Sequence, residues 1–274
     1  MGGVLLNFKE RLKEILTEEE YSIATFSYDQ IGNIAIIDLP EELYHKEKEI
    51  GEALIKTIKP ITTVCRKDGI HEGIFRTQPL KVIAGINTKV AEYKELGCRF
   101  KVDVEKVYFS PRLSTERERI TSMIKPDERV LVMFSGCGIY PIIFSRRSPA
   151  KEIVGIEINP VAHEYALENI TLNKCKNVTV YCGDVHKVLP TLSGTFDRIV
   201  MPLPKTAHEF LNDAKAYSHK GTILHFYAFE EESTMPEKTV ETVNEVIDGK
   251  LISWAKCGPN KPGWFRICVD IQVN

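Results

Sequence analysis

Between residues 130 and 204 the chain alternates short β-branched runs with helical stretches, and each run stops at a turn or an acid. Val130-Leu131-Val132-Met133-Phe134 flows into Ser135-Gly136-Cys137-Gly138, and Ile153-Val154-Gly155-Ile156 ends at Glu157. Val178-Thr179-Val180-Tyr181-Cys182 ends at Gly183-Asp184, and a fourth run over 196–201 ends at Pro202-Leu203-Pro204. Short apolar runs separated by helices read as parallel strands, because parallel neighbours need a crossover and are buried on both faces. Open sheets of that kind bind ligands outside the carboxyl ends of their strands. A glycine turn lets a backbone approach a ligand closely, and an acid ending the next strand can hold a ribose diol. The pattern describes a nucleoside cofactor lying across the strand ends.

The kind of cofactor follows from what the turn lacks. Gly136-x-Gly138 has no third glycine, and Pro141 stands where the dinucleotide fingerprint needs one for close helix–strand packing. Without a pyrophosphate cradle the turn suits a nucleoside carrying no phosphate, and the strand order favours S-adenosylmethionine over a dinucleotide. Glu157 follows the glycines at about the ribose-binding distance of 20 residues. Asp184 would meet the adenine amino group, although in that position it could equally be the N-cap of a short helix. Pro202-Leu203-Pro204 is either a rigid loop or a wall for a flat base. Lys205 and His208 either touch phosphate or lie on a solvated helix face.

The chain has 274 residues, which suggests two domains. Residues 1–107 carry short strands at 22–28, 34–39, 62–66, 81–84, 91–95 and 99–104, with helices at 8–16 and 46–58, and read as a small α+β domain. Residues 108–124 form a connecting helix, and 125–274 form the cofactor-binding domain. Asn159-Pro160 opens a helix there, Asn as cap and Pro at the first helical position. The chain closes on strands at 252–256 and 265–273 joined through residues 258–263. An antiparallel hairpin ending a parallel sheet is typical of methyltransferases. The expected fold is therefore α/β, a class I (Rossmann-like) methyltransferase sheet with a terminal antiparallel hairpin, behind a small α+β domain.

Net charge is −2, so any nucleic-acid binding must come from local patches. The seven cysteines form no C-x-x-C pair and no metal-like spacing, which points to a reduced protein without a metal. No apolar stretch is long enough to span a membrane, and the charged N-terminus is unlike a secretory signal. A cytoplasmic monomer is expected.

Beyond the generic sheet, the chain resembles a known family. The residues that carry the resemblance are Gly97-Cys98-Arg99-Phe100-Lys101-Val102-Asp103-Val104, then Val107-Tyr108-Phe109-Ser110-Pro111-Arg112-Leu113-Ser114-Thr115-Glu116-Arg117. It continues through the glycine turn, Glu157-Ile158-Asn159-Pro160, Glu168-Asn169-Ile170-Thr171-Leu172-Asn173, Pro204-Lys205-Thr206-Ala207-His208-Glu209-Phe210-Leu211 and Arg266-Ile267-Cys268-Val269-Asp270. These look like archaeal and eukaryotic tRNA (guanine-37-N1) methyltransferases and their wyosine-pathway relatives.

The resemblance implies S-adenosylmethionine as cofactor and the anticodon stem-loop of tRNA as partner. Its catalytic set would be Glu116 as general base, Arg76 in the Gly73-Ile74-Phe75-Arg76 turn steadying the base, and Tyr108, Pro202 and Pro204 shaping the target pocket. Phe134, Gly136, Gly138, Glu157, Asn159, Asp184 and Val185 would bind the cofactor. Guanine N1 carries a proton, so a carboxylate must remove it as the methyl arrives. Negative charge then moves toward O6, where a guanidinium can meet it. Arg99, Lys101, Arg112, Arg117 and Lys205 would form the basic strip for phosphates.

Three departures accompany the likeness. The small N-terminal domain that reads the tRNA elbow in larger members is expected to be missing. The family's aspartate in the first cofactor strand is Val132, and its Asn-Leu-Pro is Pro202-Leu203-Pro204. The alternatives are a wyosine-pathway transferase on the same nucleotide, by carbon methylation or aminocarboxypropyl transfer, and an inactive RNA-binding module.

Overall fold

The computed structural model describes residues 7–69 and 73–274. They fall into two compact units: one holds the chain up to Lys94 together with Arg99–Pro111, the other Glu95–Cys98 and Arg112–Asn274.

The first unit opens with α1 (Phe8–Ile15) and α2 (Glu18–Ile23), continues through β1 (Tyr28–Ile31), β2 (Ile34–Ile37), α3 (Glu47–Thr57), β3 (Thr63–Lys67) and β4 (Leu80–Gly85), and leads into β5 (Val90–Glu95) and β6 (Cys98–Asp103). Strands β1 to β4 form one sheet in that order, with β2 and β3 parallel and the other neighbours antiparallel. Leu12, Leu43, Leu54 and Val64 are fully buried where α1 and α3 pack on that sheet. The strand expected at 22–28 is corrected here. Thr17 accepts from the Glu20 backbone and Glu20 reaches back to the Thr17 N–H, a reciprocal cap that starts α2 and carries helix through Ile23. The first strand starts only at Tyr28 and turns through Gly32-Asn33, with Gly32 at φ 56°.

The second unit comprises α4 (Ser114–Met123), β7 (Arg129–Val132), α5 (Ile139–Arg147), β8 (Glu152–Glu157), α6 (Pro160–Leu172), β9 (Val178–Cys182), α7 (Val185–Val188), β10 (Arg198–Met201), α8 (Leu211–Ala216), β11 (Ile223–Glu231), α9 (Glu237–Asn244), β12 (Gly249–Lys261) and β13 (Trp264–Val273). Its seven strands run in the order β12-β13-β11-β10-β7-β8-β9. The five from β11 to β9 are parallel, while β13 and β12 pair antiparallel as a hairpin. The terminal hairpin is tighter than expected. Both strands are longer, and only Pro262-Gly263 joins them, with Gly263 at φ 72°. Leu131, Ile156, Ile199, Leu224 and Val269 are buried in one continuous core on the side of α7, α8 and α9.

Chain order reverses between β7 and β10, so the crevice outside their carboxyl ends is the topological switch point. The glycine turn leaves β7 there, and Pro202-Leu203-Pro204 leaves β10. Among the described residues no helix is long and apolar enough to cross a membrane.

Candidate active site

The glycine turn is held by groups from two other elements. Gly136 and Gly138 sit at φ 55° and 83°, where a side chain is strained. A Cβ on Gly138 would stand 3.1 Å from Ile142 and 3.2 Å from Ala166, so α5 and α6 can approach closely only because that residue is glycine. A Cβ on Gly136 would meet nothing within 4 Å and would project into open space. Asn169 of α6, fully buried, donates from Nδ2 to the Cys137 carbonyl at 3.1 Å.

Glu157 closes the turn from β8. Its Oε2 accepts the Gly136 N–H at 2.7 Å and its Oε1 the Asn159 N–H at 2.8 Å. Burial raises its pKa against the opposing effect of those backbone donors. Asn159 caps α6, its Oδ1 accepting from Val161 at 3.0 Å and Ala162 at 3.4 Å. Asp184 is half-buried and caps α7 through Oδ1, which accepts the His186 N–H at 2.8 Å. The capping alternative was thus correct for one of its oxygens. Val185 is buried in the core beneath the strand ends. Phe134 lies edge-on to Phe210 with centroids 4.9 Å apart, and Phe210 stacks on His186 at 4.5 Å. The structure thus gathers Phe134, Gly136, Gly138, Glu157, Asn159, Asp184 and Val185 around the ends of β7, β8 and β9.

Glu116 lies elsewhere in the unit and has unexpected company. It is buried, and both its oxygens are engaged by Arg119, Nη2 to Oε1 at 2.7 Å and Nε to Oε2 at 2.8 Å. The Tyr227 hydroxyl donates to Oε1 at 3.2 Å and meets the Tyr140 hydroxyl at 3.1 Å. Arg119 also donates to both oxygens of Asp270, at 2.5 and 3.1 Å. Asp270 accepts from Ser253 and faces Nδ1 of His225 at 2.6 Å. The imidazole's Nε2 faces Arg198 at 2.6 Å, and Arg198 is paired with Glu128. Desolvation lowers the His225 pKa, while Asp270 is held well below the usual carboxylate range by His225 and Arg119 against the penalty of burial.

Tyr227 and Phe226 are neighbours on β11, so their side chains face opposite ways. Phe226 lines a cleft of about 260 Å³ together with Pro204, Lys205 and His208. Glu116 contacts Tyr227, whereas Pro204 lines this cleft. In the first unit the Arg76 guanidinium sits over the Tyr108 ring at 5.6 Å, with Arg76 at φ 54°. Glu72, in the same turn, lies outside the described residues.

One expected site residue is corrected. Arg117 is not part of a phosphate-binding strip: it is buried, and its Nε and Nη2 bind both oxygens of Glu95 at 2.6 Å. Arg99, Arg112 and Lys205 are exposed. The sequence reading also missed Arg119, Tyr227, His225, Asp270 and Asn169. His225 and Asp270 had a usable signal, since each interrupts an otherwise apolar strand and a polar residue there must find a buried partner.

Comparison with known proteins agrees with this geometry. Residues 91–253 match the TRM5/TYW2 methyltransferase domain, and residues 8–88 match the TYW2 N-terminal domain. The chain is 42% identical over 253 residues to a tRNA (guanine(37)-N(1))-methyltransferase Trm5b of Pyrococcus abyssi, covering 90% of this chain and 75% of that protein. It is 29% identical over 277 residues to a tRNA(Phe) (4-demethylwyosine(37)-C(7)) aminocarboxypropyltransferase of Pyrococcus horikoshii, covering 99% of this chain and 98% of that one. The crystal structure of P. horikoshii TYW2 in complex with MeSAdo superimposes with a TM-score of 0.81 at 27% identity, over 97% of each chain. The chain belongs to the TRM5/TYW2 methyltransferase family.

Proposed function

We propose that this chain transfers a methyl group from S-adenosylmethionine to N1 of guanosine 37 of tRNA, with Glu116 as general base. The observation that carries the reading is the glycine turn braced by Glu157 at the switch point of a TRM5/TYW2 sheet. The residues there fit a nucleoside: Gly136 leaves open the space a side chain would fill, and among the described residues only one oxygen of Asp184 is engaged. The fit agrees with the MeSAdo bound by the P. horikoshii neighbour.

When bound, S-adenosylmethionine supplies a methyl group activated on a sulfonium. Glu157 holds the ribose and Asp184 the adenine amino group, with Phe134 and Val185 as apolar flanks and Asn159 keeping Glu157 in place. Glu116 takes the N1 proton, Arg76 meets the charge that moves to O6, and Tyr108, Pro202 and Pro204 shape the pocket. The anticodon stem-loop is held by Arg99, Lys101, Arg112 and Lys205. In this reading the chain is a cytoplasmic monomer that needs no metal. Among the described residues, His225, Cys268 and Asp270 alone are spaced like ligands, and two guanidiniums already bind that cluster.

A second reading, aminocarboxypropyl transfer to the same nucleotide, is favoured by the TYW2 N-terminal match and by Pro202, which cannot hydrogen-bond a guanine edge as an asparagine can. Labelled cofactor decides between them. Methyl label retained on unmodified tRNA is the expected result, carboxyl label transferred to tRNA carrying 4-demethylwyosine at position 37 selects the second reading, and both tRNAs retained with neither label leave an inactive binding module.

A further inference from the structure

The arrangement around Glu116 fixes more than its position. A carboxylate offers four lone-pair sites. On Oε1 both are used, by Arg119 Nη2 and the Tyr227 hydroxyl, while Oε2 accepts from Arg119 Nε. The Cys257 thiol lies 3.4 Å from the Ala255 carbonyl and is also close enough to interact with the Glu116 carboxylate. Arg119 cannot swing aside with Glu116, because Asp270 grips the same guanidinium.

Behind Asp270 the network is just as constrained. Arg198 can only donate, so Nε2 of His225 must accept from it, and Nδ1–H must then donate to Asp270. That assigns a neutral imidazole on geometry alone. The hydrogen-bonded chain Glu116–Arg119–Asp270–His225–Arg198–Glu128 thus holds three carboxylates against two guanidiniums, one negative charge in excess. A single proton arriving on Glu116 would neutralise it.

We propose that Arg119, anchored by Asp270, is the positioning residue of the base: it stops rotation of the Glu116 carboxylate and so holds it in the orientation that receives the substrate proton. The proposal rests on the reading of Glu116 as base. In the step, the N1–H bond breaks and the proton ends on the Glu116 carboxylate, while its electron pair stays on N1 and bonds the methyl carbon; the methyl–sulfur bond breaks at the same time, and its electron pair leaves with the sulfur of the demethylated cofactor. Arg119 stays paired with Asp270 throughout. The other titratable or charged groups around Glu116 are Tyr227 on β11, Tyr140 on α5, Cys268 on β13, and Cys257 on β12 with Arg266 beside it.

The test is single-turnover methyl transfer to a tRNA transcript with guanosine 37, by the full chain, across a pH series. Arg119→Lys leaves one ammonium in place of a two-point clamp. It should slow the step about 10–100-fold with both KM values within about twofold of wild type. The acidic limb should move up by about one pH unit, since a displaced positive charge opposes protonation of the carboxylate less. Asp270→Asn should do the same about 3–10-fold more weakly. A folded Arg119→Lys protein with the wild-type rate and limb overturns the proposal. So does a slower one whose limb has not moved and whose Tm has dropped, because that marks a merely structural pair. If Arg119→Lys does not fold, Tyr227→Phe decides: it removes one hydrogen bond to Oε1 and should also raise the limb, and an unmoved limb overturns the proposal. Glu116→Ala separates the two claims. A retained rate removes the base itself, whereas a lost rate beside a normal Arg119→Lys removes only the positioning role.

Discussion

Glu157 and Glu116 are both carboxylates in the second unit, yet they are held by opposite means. Glu157 is gripped by two backbone N–H groups, at Gly136 and Asn159, whose positions the sheet and the following turn impose. Glu116 is gripped by side chains: Arg119 one turn along its own helix, then Tyr227 and, through Arg119, Asp270, which lie 111 and 151 residues downstream of the residues they bind. A backbone grip is neutral and cannot be mutated away. A side-chain grip brings charge, can tune a proton acceptor, and fails when any member is lost. The first arrangement suits a group that must stay put and bind, and the second a group that must react.

The sharpest way to break this contrast is Glu116→Gln. The amide cannot take the N1 proton, so single-turnover methyl transfer should fall by about 10²–10⁴-fold. Its NH₂ would also face an Arg119 N–H, and a denaturant titration should show a loss of about 1–3 kcal/mol. A near-normal rate would make the side-chain grip a structural matter only. Next in size is Arg117→Ala, which strands Glu95 in the interior and should cost about 3–5 kcal/mol by the same measurement. It should leave the salt dependence of tRNA binding unchanged, whereas Lys205→Ala should flatten the log–log slope by about 0.7 without touching stability.

On the backbone side, Glu157→Ala should weaken S-adenosylmethionine binding by about 1.5–3 kcal/mol in calorimetric titration. The protein should still fold, although two N–H groups lose their partner. Unchanged affinity would remove Glu157 from the cofactor site. The smallest effect concerns acid. The folded pKa of Asp270 is depressed, so its contribution to stability is present above the ordinary carboxylate range and is lost as pH falls through the depressed value. Wild-type Tm should therefore drop more steeply below about pH 4 than that of Asp270→Asn. Parallel curves would mean that Asp270 titrates alike in both states.

The same contrast explains what could be read from the sequence. β-branched runs, positive-φ glycines and the Asn159-Pro160 cap act over a few residues, so the sheet, the turn and Glu157 were legible. The departure at α2 is also local: the reciprocal cap between Thr17 and Glu20 starts a helix that runs through Ile23, where a strand at 22–28 is expected. The partners of Glu116 and the burial of Arg117 depend on strands brought together from far along the chain. Spacing carries no record of that, and Arg117 reads like any solvated helix charge.

Glu95 to Cys98 join the second unit although the chain on either side of them belongs to the first. The polypeptide therefore crosses between units three times, and no single cut separates them. A fragment starting at Arg112 would keep every strand of the seven-stranded sheet yet lack Glu95, leaving the Arg117 guanidinium buried without its carboxylate. Limited proteolysis between β6 and α4 should thus release no independently stable half. During synthesis, Glu95 leaves the ribosome well before Arg117 and must wait for α4 before that ion pair can close.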